Sequence, residues 1–322
     1  MSKKLREWWQ RQVHLNGVTR LRFFVALVLV GVSSLIIRLL MQYDFHTSAL
    51  LYVGLPYLIS LVIVASHPMS DKDVWGHRYR DHNVIAMVVF LASSIVLFEG
   101  FVCILFFMPI YFFLVWIVFL IHRRSRNGGD GNDGKGNIYS SLIPILILLS
   151  AFEGVSENLS FDRDSSVVVS KITSRSAAEI MDNLAQPIDL EKDRHWVLSI
   201  FPMPYEIEAG SLNAGDIHVV KTRYHRWFVT NTHEGELQLK IVEATEKKVR
   251  TQFLDDTTFF SAYLTPLGTE ITLDEIGENQ TNITLRIDYR RKLDPAWYFH
   301  PLQQFAVSKM ADFLIDEVMV RE

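Results

Sequence analysis

Asn282-Ile-Thr-Leu-Arg-Ile-Asp-Tyr-Arg290 decides the fold of the second half of this chain. Ile283, Leu285, Ile287 and Tyr289 alternate with Thr284, Arg286, Asp288 and Arg290, and a two-residue period means a strand with one face buried and the other in water. Just beyond it, Asp294-Pro295 is a good helix start, because proline is pre-organised for a first turn. Leu302, Phe305, Ala306, Met310, Phe313, Leu314 and Val318 then recur at helical spacing as far as Val320. A helix of roughly 25 residues is nearly 40 Å long at about 1.5 Å per residue, long enough to lie across a whole sheet. Its apolar face is expected to cover the apolar face of that sheet.

Toward the N-terminus, residues 166–173 are rich in valine and isoleucine and read as a strand, and Ser176-Ala-Ala-Glu179 is a capping box opening a short helix that ends before Pro187. Strands are then expected at 205–209, 216–228, 236–244, 249–256, 269–276 and 282–290. The turns between them hold Asn213-Ala-Gly215, His233-Glu-Gly235 and Ile276-Gly-Glu-Asn279, residues that suit tight connections. The pattern is an antiparallel meander.

The whole-chain averages, 49% hydrophobic with a net charge of −4, would suit an ordinary globular protein and conceal a division: every long apolar run precedes Gly154. A helix crossing a bilayer needs ~20 mostly apolar residues. Runs of that kind predict about five spans, at 23–41, 48–66, 84–98, 101–121 and 140–153. Glu99-Gly100 splits a double-length run, since a carboxylate in mid-bilayer costs several kcal/mol whereas at a hairpin tip it meets water. Pro109 is then a tolerated kink.

Basic residues crowd the arm 1–22, the second loop (Lys72, Arg78, Arg80) and the third (Arg123, Arg124, Arg126, Lys135), whereas 42–47 and the Glu99 tip carry no lysine or arginine. The positive-inside bias with five spans puts the N-terminus in the cytoplasm and the C-terminal domain outside, in the periplasm of a bacterial inner membrane. An even count returns that domain to the cytoplasm. The long basic arm and the lack of a small-residue cleavage pattern predict that the first span is not a cleaved signal peptide. The only cysteine, Cys103, lies within an expected span, so it says nothing of redox compartment. The Gly-rich stretch 127–136 reads as a flexible loop, without the bidentate Glu of a calcium loop.

The expected organisation is therefore α+β: a basic arm at 1–22, a transmembrane helical bundle at 23–153, a linker at 154–164 and a domain at 165–322 built of a curved sheet and a terminal helix. The order of one strand, a short helical segment, antiparallel strands and a long terminal helix resembles the START-like, or SRPBCC, superfamily. Gly215-Asp-Ile-His218, Tyr224-His-Arg-Trp227 and Leu293-Asp-Pro-Ala-Trp-Tyr298 look like stretches of membrane-anchored bacterial members related to polyketide cyclase/dehydrase and lipid-transport proteins. That resemblance implies a helix-grip fold with a cavity between helix and sheet for apolar or amphipathic molecules. It does not imply catalysis, because members include transfer proteins, chaperones, sensors and cyclases.

No elbow motif surrounds a serine such as Ser261, and the histidines His195, His218, His225, His233 and His300 show no paired ligand spacing, so neither a catalytic triad nor a zinc site is expected. No cofactor is implied. If the domain is an enzyme of the cyclase/dehydrase kind, His218, His225, Arg226 and Asp255 are its candidate acid-base groups. The aromatic and apolar candidates for a cavity lining are Tyr224, Trp227, Phe253, Phe259, Phe260, Tyr263, Tyr289, Trp297, Phe305 and Met310. Residues 256–264 carry large apolar side chains between strands, as a cavity mouth or a bilayer-resting loop would. Three functions stay open: binding of a hydrophobic small molecule beside the lipid bilayer, a reaction on such a molecule, or capture of an unspecified protein partner by the charged sheet face. Nucleic acid is disfavoured, since the basic residues of the domain are interspersed with acids.

Overall fold

The structure is a computed structural model that describes residues 47–58, 80, 83, 84, 87, 101–127, 143, 145–190, 203–227, 230–277 and 280–321, without the side chains of 101–106, 122–127, 225–227, 230 and 231. The arm 1–22, the span expected at 23–41, the Glu99 tip and nearly all of 127–136 lie outside the described residues, as do 59–66 of the span expected at 48–66 and nearly all of that expected at 84–98. The chain divides into two compact units, one holding Pro109–Val155 and the other Ser156–Glu322.

Helix α1 runs over Phe101–Asn127 and passes through Pro109, from which point it belongs to the first unit. Ile110, Tyr111, Leu114, Val115, Val118 and Phe119 are buried, while Phe113 and Trp116 are exposed; steps of three and four residues put the buried set on one side. Among the described residues no helix is long and apolar enough to cross a membrane, and the described side chains of α1 run only from Phe107 to Ile121. Nearer the boundary, Ile145, Leu146, Leu148, Leu149 and Phe152 are all exposed.

The second unit is one antiparallel sheet of eight strands gripped by helices. In chain order these are β1 (Asp164–Thr173), β2 (Ile188–Asp189), β3 (Met203–Glu208), β4 (Ile217–Trp227), β5 (Thr230–Thr245), β6 (Lys248–Asp256), β7 (Leu264–Gly277) and β8 (Gln280–Arg291). Spatially β2 to β8 follow one another as the expected meander, and β1 closes the far edge beside β8. Register breaks at Pro204/Glu206, Gln238/Leu239, Ile241/Glu243, Pro266/Gly268 and Glu275/Gly277 sharpen the right-handed twist locally and curl the sheet.

Helix α2 (Ala177–Leu184) begins at the expected capping box: the Ser176 hydroxyl accepts from Glu179 N at 3.3 Å and Ser176 N donates to the Glu179 carboxylate at 3.0 Å. Helix α3 (Ala296–Leu314) is capped by Pro295 and continues as a π turn over Ile315–Met319. Inward positions of β5 to β8 (Ile241, Val249, Ile271, Leu273, Ile283, Leu285, Ile287) form one core with Ala177 and Ile180 of α2 and with Ala311, Ile315 and Met319. Phe313 and Val318 join Ile188, Leu190, Met203 and Ile207 in a second. A curled antiparallel sheet with a long terminal helix packed on its concave face is a helix-grip arrangement.

His233-Glu-Gly235, expected as a turn, lies within β5 and pairs with β4, and two features of the sheet faces also depart from expectation. The strand expected to end at Arg290 runs on to Arg291, whose parity with Ile287 and Tyr289 turns it inward, and it is fully buried. Its charge is met by Asp294, also fully buried, and Asp294 in turn accepts from Arg163 Nη2 at 2.5 Å. Arg291 Nη1 also donates to the Leu293 carbonyl and Nη2 to that of Phe161 at 3.4 Å. The outer face, expected to be charged, does carry the pairs Arg286–Asp288, Arg290–Asp164 and Lys248–Glu270, but Val168, Ile172, Leu254 and Ile276 are exposed as well.

Candidate functional site

The grip leaves a cavity of about 280 Å³ between the inner sheet face and α3. Strand periodicity builds its wall: Val220 and Thr222 of β4, Leu237, Leu239 and Ile241 of β5, and Leu285 and Ile287 of β8 are alternate residues, each presenting the same face. From the other side α3 contributes Phe299, Gln303, Ala306, Val307 and Met310, steps of three and four that keep one helical stripe toward the cavity. Most of the lining is apolar. The polar exceptions are His218, Thr222, Thr251, Asp256, Tyr263, Thr269 and Gln303, and among the described residues no lysine or arginine lines it.

One end is formed by the segment from Asp256 to Tyr263, which carries a single 3-10 turn over Phe259–Ala262. Hydrogen bonds hold it tightly. Asp256 Oδ1 accepts from Thr258 N at 2.8 Å and from Thr258 Oγ1 at 2.5 Å, and Thr258 Oγ1 accepts from Phe260 N at 3.2 Å. Lys292 Nζ donates to the Ser261 carbonyl at 2.6 Å, and Gln303 Nε2 to that of Tyr263 at 3.0 Å. On the sheet side Glu236 N donates to Thr257 Oγ1 at 2.9 Å.

Gly235 lies so close beneath the segment that a Cβ there would stand 2.6 Å from the Thr257 carbonyl oxygen and 2.7 Å from Thr258 Cα. Backbone cannot step aside as a side-chain tip can. Gly235→Ala is therefore expected to displace the segment at a cost of about 1–3 kcal/mol. Hydrogen exchange should then accelerate over 256–263 while the amides of β8 keep their protection.

Of the aromatic and apolar residues anticipated as lining, Phe253, Phe260, Tyr263 and Met310 border the cavity. Tyr224 and Phe259 stack on each other instead, with centroids 4.7 Å apart and planes at 22°, and Phe259 meets Tyr263 edge-on at 5.5 Å. Tyr289 is buried outside the lining; burial pushes its hydroxyl above the usual phenol range, opposed by the Ser165 hydroxyl and the Arg291 charge. Trp297 and Phe305 are each about half exposed, at 53% and 52%. The Trp227 side chain is outside the described residues.

Among the acid-base candidates, His218 borders the cavity and is nearly buried, with Nε2 2.7 Å from the Ser211 carbonyl. A carbonyl only accepts, so Nε2 carries the proton. Asp255 is exposed on β6, where its Oδ1 accepts from Asp256 N at 3.0 Å. The side chains of His225 and Arg226 are outside the described residues. Among the described residues no group of three or more His, Cys, Asp and Glu is placed to hold a metal ion.

Sequence reasoning passed over Asp256 and Gln303. Asp256 had no signal, being one of two adjacent acids at a strand end. Gln303 did: with Phe299, Ala306 and Met310 it occupies one stripe of the helix, and a polar residue on an apolar stripe marks a polar point inside.

No family model and no curated protein matches the chain. Among solved structures, a START superfamily protein from Mycobacterium smegmatis is similar at 11% identity, over 48% of this chain and 95% of its own, with a TM-score of 0.33. A truncated norcoclaurine synthase from Thalictrum flavum is similar at 14% identity, over 48% of this chain and 92% of its own, with a TM-score of 0.31. Major latex-like protein 151 from Panax ginseng shows 14% identity over 47% of this chain and 98% of its own, with a TM-score of 0.27.

Proposed function

We propose that this chain is a membrane-anchored binding protein whose helix-grip cavity holds a hydrophobic or amphipathic small molecule. The observation that carries the reading is the cavity itself. A space of about 280 Å³ walled mainly by apolar side chains is near the lower end of the range for small-molecule sites, and a wall so poor in polar groups favours an apolar guest. Water gains little there, because a buried water needs two to four polar partners.

Anchoring is supported by the long apolar runs before Gly154 and by the exposed Ile145, Leu146, Leu148, Leu149 and Phe152. Adjacent large apolar side chains left open to solvent mark a surface that lipid or protein covers. The basic loops support an N-terminus in the cytoplasm and a C-terminal domain in the periplasm. A reporter fused after Glu322 that is active only in the cytoplasm would refute that sidedness without touching the binding reading.

Binding is tested by native mass spectrometry of the full chain released gently from membranes. The natural chain is expected to retain a small apolar molecule, and Ala306→Trp, which puts an indole into the cavity from α3, is expected to lose it. A natural chain that never carries a molecule, or an Ala306→Trp chain that carries the same one, refutes the reading. The charged face of the sheet is unchanged in that variant, so capture of a protein partner would survive it.

A further inference from the structure

Two buried acceptors in the described residues lack any partner and belong to side chains that line the cavity: Oε1 of Gln303 and Oδ2 of Asp256. Gln303 is only 8% exposed. Its amide cannot be turned round to satisfy Oε1, because Nε2 already donates to the Tyr263 carbonyl at 3.0 Å and the flipped amide would set oxygen against oxygen. In Asp256, Oδ1 takes both bonds from Thr258, which leaves Oδ2 over.

Both residues attach to the segment 256–263, one at its first residue and the other at the carbonyl of its last. A buried acceptor without a donor bears its whole desolvation cost, and folded proteins keep few such groups. Among the described residues no lysine or arginine lines the cavity, so none of them serves either oxygen with a cation from the wall.

We infer that the ligand carries a hydrogen-bond donor, a hydroxyl or protonated amine, which meets Gln303 Oε1 or Asp256 Oδ2 while its apolar body fills the rest of the cavity. This rests on the binding reading above and deepens it. It disfavours a class as well: a carboxylate, phosphate or diphosphate buried here would bring a negative charge to an aspartate that has no counter-ion among the described residues of the wall. The head group that enters the cavity is therefore a donor and not an anion.

The test uses the full chain in lipid nanodiscs with three probes that share one alkyl body, 1-dodecanol, 1-methoxydodecane and dodecanoate, and takes Ala306→Trp as the background for partition into lipid. The natural chain is expected to bind 1-dodecanol about tenfold tighter than its methyl ether, as one hydrogen bond to a charged acceptor allows, with dodecanoate weakest. Asp256→Asn keeps Oδ1 for Thr258 and replaces Oδ2 with a donor, so it should narrow the preference for the alcohol over the ether and improve dodecanoate. Gln303→Leu should narrow the preference too, and a thermal melt of each variant separates this from unfolding. Equal binding of alcohol and ether, or tightest binding of dodecanoate, overturns this inference and leaves the binding reading standing. Binding of no probe above the Ala306→Trp background overturns both.

Discussion

Asp294→Ala is expected to lower the stability of the C-terminal unit by about 3–5 kcal/mol, read as a fall in the midpoint of its denaturant unfolding. Arg291 and Asp294 have no exposed side-chain surface at all, so removing the carboxylate strands a guanidinium where water cannot reach it. The loss spreads further, because the same carboxylate also binds Arg163 and accepts from Ser160 Oγ at 3.4 Å. These contacts tie the segment before β1 to the turn that starts α3. The chemistry predicts its own control: Arg291→Met combined with Asp294→Leu removes both charges together and should regain much of the loss, since a buried ion pair is often matched by an apolar pair of similar volume. A drop below about 1 kcal/mol for Asp294→Ala would mean that Arg291 finds solvent, which its burial contradicts.

Leu285→Ala should cost about 2–5 kcal/mol and also change what the cavity accepts. Leu285 is 1% exposed, belongs to the main core cluster and lines the cavity. Truncation forfeits its packing against the core, and the rigid sheet on either side of β8 limits collapse into the gap. The vacated space adds to the cavity. Native mass spectrometry is therefore expected to show a bulkier retained molecule, or two small ones, on a chain that unfolds at lower denaturant. Leu285→Met keeps the volume, should lose less than about 1.5 kcal/mol, and should retain the guest of the natural chain. An unchanged guest in Leu285→Ala would place the ligand away from β8.

Where the chain alternates cleanly, its elements were readable in advance. β8 shows its buried face residue by residue, and the capping box marks α2 correctly because the two reciprocal bonds need that spacing. The ends of strands were harder. β7 begins at Leu264, earlier than alternation suggests, because the bulge between Pro266 and Gly268 puts the pattern out of step. β5 begins at Thr230 although Thr230 to Gly235 are polar or small, since pairing with β4 and not burial holds that end. β2 is two residues long, too short for any period.

The site was less legible than the fold, and for a physical reason. Of the anticipated aromatic markers Phe253, Phe260 and Tyr263 border the cavity, whereas Tyr224 and Phe259 stack on each other and Trp297 and Phe305 are half exposed. Much of the cavity wall is made of the leucines, isoleucines and valines that make any core. What distinguishes wall from core is the space left between facing elements, which depends on how far the sheet curls and where α3 rests. One sequence pattern cannot encode that distance.

Strand β1 has a consequence for the birth of this protein. Its neighbour is β8, and Asp164 lies opposite Arg290, 126 residues later in the chain. At synthesis rates of about 5–20 residues per second, β1 leaves the ribosome on the order of ten seconds before its partner exists. Throughout that interval its hydrogen-bonding edge is open, and the loop it must close is long and slow to form. The domain is thus completed only when its final strand arrives, and a nascent chain stalled short of β8 presents chaperones and proteases with an unpaired edge.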